Sequence, residues 1–100
     1  MPFLTVTRRD VVEALRRVYD PELGLNIVDL GLVYGVEEAE GRVRVTMTLT
    51  TPGCPVGQVI LEAVDYVLSA LPGVTDVAVD IVWDPPWSPA MIADEIRRRL

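Results

Sequence analysis

Apolar positions in this chain change their period several times, and each change marks an element. Val11, Val12, Leu15, Val18 and Tyr19 recur at helical spacing, so a first amphipathic helix is predicted after Thr7. The Thr7 hydroxyl is a candidate N-cap, with Asp10 three residues on in a capping-box arrangement. Arg9, Glu13, Arg16 and Arg17 fill the opposite face, and Glu13 and Arg17 have the spacing of a favourable i,i+4 pair. Asp20-Pro21 stops the helix, because a residue preceding proline is driven out of the α region.

The run DPELGLNIVDLG, residues 20 to 31, has neither period and reads as a structured loop. Residues 32 to 37 read as a strand and residues 37 to 41 as a polar turn. RVRVTMTLT, residues 42 to 50, then alternates strictly. Val43, Val45, Met47 and Leu49 take one face and Arg44, Thr46 and Thr48 the other, which predicts a half-buried strand in a hairpin with the preceding one. Val56, Val59, Ile60, Ala63, Val64, Val67, Leu68 and Leu71 define a second amphipathic helix over 57–71, ended by Pro72-Gly73. TDVAVDIVW, residues 75 to 83, alternates as a third strand and places Trp83 with Val77, Val79 and Ile81 on the core side. Ser88 and Pro89 fit the start of a last helix, and Arg97, Arg98 and Arg99 suit the negative end of its dipole. The predicted fold is α+β: a two-layer sandwich in the order helix-strand-strand-helix-strand-helix, with the helices packed on a small mixed three-stranded sheet. The connection between the second and third strands is expected to be a right-handed crossover if those strands are parallel.

With 100 residues, half of them hydrophobic, the expectation is one domain with one core over residues 1–100. One cysteine excludes an intramolecular disulfide, and the start MPFLTVTRRD lacks the features of a signal peptide. No apolar run approaches the roughly 20 residues that cross a bilayer. These observations point to a cytoplasmic protein without membrane attachment. The net charge of −6 argues against a nucleic-acid partner, although all nine basic residues are arginine.

The single cysteine, Cys54, stands between Pro52-Gly53 and Pro55 at a strand-to-helix junction. A helix N-terminus offers free amide donors and the positive end of a dipole, which favour the thiolate. Against this, a free cysteine is commonly a small buried hydrophobe. With no histidine in the chain, a closed Cys/His zinc site, a Cys–His catalytic pair and a four-cysteine cluster site are all excluded within one chain. Metal at Cys54 would have to be shared with carboxylates, a partner or a second subunit, and a two-fold homodimer would present two Cys54 side chains to one ion. The candidate carboxylates are Asp20, Glu22 and Asp29 in the first loop and Asp84 near the end. Asp20 and Asp29 also occupy turn-capping positions, whereas Glu22 does not. WDPPWSP, residues 83 to 89, adds Trp87 and Asp84 as candidate partner contacts, against the alternative that Trp87 covers the end of the helix layer.

DPELGLNIVDLGLVY, TLTTPGCPVG and WDPPWSP, in that order and spacing, resemble the iron–sulfur assembly domain of the SufT/PaaD-like family. The same domain type occurs in the eukaryotic cytosolic iron–sulfur targeting subunit and at the N-terminus of some cluster-carrying P-loop ATPases. The resemblance implies a maturation factor rather than an enzyme, working with the iron–sulfur assembly machinery and client apoproteins. It implies no tightly bound cofactor, only transient iron or cluster at Cys54. It carries the acidic loop onto Asp20, Pro21, Glu22 and Asp29, and the cysteine loop onto Thr51, Pro52, Gly53, Cys54 and Pro55. The late segment falls on Trp83, Asp84, Pro85 and Trp87. The cysteine-rich C-terminal extension of the PaaD-like type is not in this sequence, so a SufT-like role is the expectation. Two alternatives stay open: an interaction adaptor with a structural Cys54, and a small thiol enzyme. The enzyme is disfavoured because carboxylates near pKa 4 match a thiol near roughly 8.5 poorly.

Overall fold

The computed structural model describes residues 6–50 and 56–98. Helix α1 spans Arg8–Leu15, and the predicted capping box is present. Thr7 Oγ1 accepts the Asp10 amide at 3.1 Å, and the Asp10 carboxylate accepts the Thr7 amide at 2.9 Å. The helix ends earlier than its apolar stripe suggested, with Arg16 as C-cap. Val11, Ala14 and Leu15 are fully buried, while Tyr19, placed on the stripe by spacing, is 57% exposed. Helical phase no longer applies at Tyr19, which belongs to a two-residue strand, β1 (Tyr19–Asp20). The ion pair expected between Glu13 and Arg17 forms instead between Glu13 and Arg16, at 3.5 Å.

β1 pairs antiparallel with β2 (Leu25–Asn26), a ribbon within the segment read as a loop. The main sheet follows. β3 (Val33–Ala39) pairs antiparallel with β4 (Arg42–Met47), and β4 pairs parallel with β5 (Asp76–Ile81). This is the mixed three-stranded sheet, in the order β3-β4-β5. The hairpin turn is tighter than expected. Glu40 and Gly41 both have positive φ, 52° and 86°, the conformation of a two-residue type I′ turn whose twist matches its strands. A Cβ at position 41 would collide with the Gly73 carbonyl oxygen, so glycine is required there.

Helix α2 spans Val56–Ser69 and supplies the crossover from β4 to β5. Ile60, Val64 and Leu68 are buried against α1 and β5, while Val67 and Ala63 are half-buried. Val59, assigned to the core face, is 58% exposed: it lies about 100° from Ile60 around the axis and farther still from Val64 and Leu68. Val43, Val45 and Met47 of β4 complete the core with Ile27, Leu30 and Leu32. Thr48 departs from its predicted outward position. β4 ends at Met47, the alternation lapses, and Thr48 is fully buried with its amide donating to Leu32 O at 2.8 Å.

Residues 88–98 do not form one helix. A 3-10 turn (Pro89–Met91) and a four-residue helix α3 (Asp94–Arg97) are separated by Ile92, whose ψ of 138° is extended. Ser88 stands at the N-cap of the 3-10 turn but makes no side-chain cap bond. Among the described residues, no helix is long and apolar enough to cross a membrane.

Candidate functional site

The acidic loop is built by its own carboxylates. Asp20, only 2% exposed, accepts the amides of Glu22 and Leu23 through Oδ1, at 2.8 and 3.2 Å. Its carbonyl accepts the Gly24 amide at 2.8 Å, and Gly24 takes the positive φ that closes the turn. Asn26 repeats the device: its Oδ1 accepts the amides of Val28 and Asp29 at 3.1 and 2.9 Å. Asp29 is held from two sides, by Asn26 Nδ2 at 2.8 Å and Arg16 Nη1 at 2.7 Å. Asp20 therefore caps a turn, as its position suggested, whereas the Asp29 carboxylate caps no amide and instead ties the Asn26 side chain to Arg16 of α1. Glu22 stands exposed on the turn that Asp20 caps. Asn26 and Arg16 were not singled out by sequence. The signal for Asn26 was an Asx residue three positions before Asp29. None existed for Arg16, which resembles any solvated helix charge.

The segment after β5 folds back over this loop. Trp87 is half-buried and its Nε1 donates to Leu30 O at 2.6 Å. The Ala93 amide donates to Asp29 O at 2.8 Å, and the Tyr34 hydroxyl donates to Pro85 O at 2.7 Å. Gly31, at φ 80°, lies so close under Met91 that a Cβ there would strike its carbonyl oxygen. Trp87 thus covers the loop, and the exposed tryptophan is Trp83, at 45%. Trp83 was expected in the core by parity with Ile81. The last sheet bond of this strand is Val82 N to Met47 O, at 2.9 Å, and parity does not carry past it. Asp84 is exposed, next to the cis Asp84-Pro85 bond.

Register brings these parts to one place. Leu32 enters β3, Thr48 leaves β4 and Val82 leaves β5 at the same end of the sheet, with Thr48 bonded to Leu32 and Val82 to Met47. The acidic loop, the lead into the cysteine loop and the tryptophan segment are therefore attached side by side at the carboxyl ends of the parallel pair. Thr51, Pro52, Gly53, Cys54 and Pro55 lie outside the described residues. Three positions before them in sequence, Thr48 Oγ1 is buried without a hydrogen-bond partner among the described residues. Among those residues no three Asp, Glu, Cys or His side chains form a group that could hold a metal ion.

The fold is thus a small α+β sandwich with three motif-bearing segments attached at one sheet end. The chain belongs to the iron–sulfur cluster assembly protein family, whose pattern matches residues 8–81. It is 44% identical over 90 residues to an Fe-S protein maturation auxiliary factor of Porphyromonas gingivalis, covering 89% of this chain and 86% of that protein. It is 51% identical over 77 residues to the Fe-S protein maturation auxiliary factor SufT of Staphylococcus aureus, covering 76% of this chain and 88% of that one. A crystal structure of a domain of unknown function from Bacillus anthracis superposes with a TM-score of 0.86 at 38% identity, over 92% of this chain and 89% of the other.

Proposed function

We propose that this protein is a maturation factor for iron–sulfur proteins, in which Cys54 acts as a thiolate that makes transient contact with iron, a cluster or a client's thiol. The observation that carries this reading is the gathering of the acidic loop, the exit of β4 towards Cys54 and the Trp83–Trp87 segment at one sheet end. The maturation-factor relatives, which align over most of their own length, support it. Cys54 precedes a 14-residue helix, whose N-terminal amides and dipole favour a thiolate. Glu22 is the carboxylate assigned to cargo contact, because it stands exposed on the turn, whereas Asp20 is buried and Asp29 half-buried. Thr51, Pro52, Gly53 and Pro55 set the course of the thiol loop, and Asp84 with exposed Trp83 contacts assembly proteins or client apoproteins. A single thiol suits shared ligation, by a client or by a second subunit in a homodimer.

The test is replacement of the wild-type protein by Cys54→Ser in cells, with iron–sulfur enzyme activities as readout. The variant should fold and melt like wild type yet fail to restore those activities. Anaerobic iron–sulfide reconstitution should lose visible absorption per folded molecule in Cys54→Ser and Glu22→Gln. Alkylation rate against pH reports only Cys54, and a midpoint below the free value of roughly 8.5 is expected. A serine variant that restores the activities, together with a thiol that resists alkylation, would leave the adaptor reading in its place.

A further inference from the structure

The outward surface of α2 carries a second apolar row, of which only the half-buried Ala63 also touches the core. Val59, Ala63, Tyr66 and Ala70 follow one another at steps of four, three and four residues, which keeps them on one line of the helix. Val59 is 58% and Tyr66 77% exposed, although both are large and apolar. Small alanines alternate with them, leaving recesses between two protruding side chains. One residue ahead of each runs a parallel polar row: Gln58, Glu62, Asp65 and Ser69. It holds two carboxylates, and α2 contains no basic residue to offset them. Among the described residues Glu62 accepts only a long side-chain bond from Gln58, at 3.4 Å, which leaves its charge on this face.

We propose that this face of α2 is a docking seam for a basic amphipathic helix of a partner protein. An apolar row at this spacing is the pattern that packs against a second helix, with side chains of one entering the gaps of the other. Tyrosine is a frequent anchor of such contacts, since it covers much area with few rotatable bonds. The bordering carboxylates specify the charge of the occupant: lysines or arginines flanking its apolar stripe. A second copy of this chain fits poorly, because its α2 brings the same carboxylates and no basic residue to pair with Glu62 and Asp65. None of these side chains has a role in the maturation reading, so the experiment below and those on Cys54 fail independently.

The probe is a designed helical peptide with leucines at the spacing of the seam and lysines along their border. Its twin carries glutamates instead, and both are titrated by fluorescence anisotropy. Wild-type protein should bind the lysine peptide about tenfold more tightly than the glutamate peptide, and salt should erase the difference. Glu62→Arg with Asp65→Arg should invert the preference, while Tyr66→Ser should weaken both peptides with unchanged melting. Equal affinity for the two peptides, or binding that ignores Tyr66→Ser, overturns the proposal. So does a wild-type dimer in sedimentation that Tyr66→Ser dissolves, because that assigns the seam to a second copy.

Discussion

The indole N–H of Trp87 donates to the carbonyl oxygen of Leu30 at 2.6 Å, across 57 positions of sequence. That bond, with Ala93 N to Asp29 O, makes the end of the chain part of the acidic loop's support.

Trp87→Phe keeps an aromatic ring and removes the donor. A net loss of about 1–2 kcal/mol is expected in urea unfolding, since the Leu30 carbonyl lies in the core and loses its indole partner. Unchanged stability would mean that ring packing carries the whole contact.

The two aspartates of the loop should differ in cost. Asp20→Ala strips two amides of their acceptor at a buried position, and about 1–3 kcal/mol should be lost. Asp29→Asn weakens a bridge to the exposed Arg16, and at most about 1 kcal/mol is expected, fading further in salt. Denaturation of both variants at low and high ionic strength separates the two.

On α2 the buried side chains should be costly and their exposed neighbour should not. Ile60→Ala and Leu68→Ala should each lose about 2–5 kcal/mol by opening cavities. Val59→Ala should fall within about 0.5 kcal/mol of wild type, because its side chain stands mostly in water. Thermal melts of the three decide whether the helix is phased as described.

Thr48→Val replaces a buried hydroxyl that has no partner among the described residues. The variant should be about 1 kcal/mol more stable, the reverse of most core substitutions. If iron–sulfur enzyme activities also fall in cells carrying the variant, the hydroxyl belongs with the cysteine loop three residues on. Equal or lower stability would show that the hydroxyl is satisfied in solution.

What could be read from sequence was whatever local chemistry determines. The Thr7–Asp10 capping box, the alternation of Val43, Val45 and Met47, and the Ile60–Val64–Leu68 stripe need no knowledge of distant residues. Several of the errors lie where a distant partner decides, whereas Val59 and the Glu13 ion pair were misread in local helical phase. Trp83 and Thr48 continue an alternation beyond the last residue that pairs, so their parity carried no information about burial. Ile92 interrupts a sequence that reads as helix because the next amide, Ala93, is drawn to Asp29 O. The β1–β2 ribbon was too short to have a period. In the acidic loop, the capping role of Asp20 was visible as local turn chemistry, whereas Asn26 takes the capping role expected of Asp29, and the Asp29 contact with Arg16 depends on how α1 lies against the loop.

The family pattern ends at residue 81, yet Trp87, Met91 and Ala93 hold the loop that lies inside it. A recombinant fragment trimmed to that boundary would retain every strand and both long helices while exposing Leu30 O and Asp29 O to solvent. Its amides from Gly24 to Leu32 should exchange with deuterium faster than those of β4, long before the fragment unfolds. Transplanting this module into another protein therefore calls for a cut beyond residue 93.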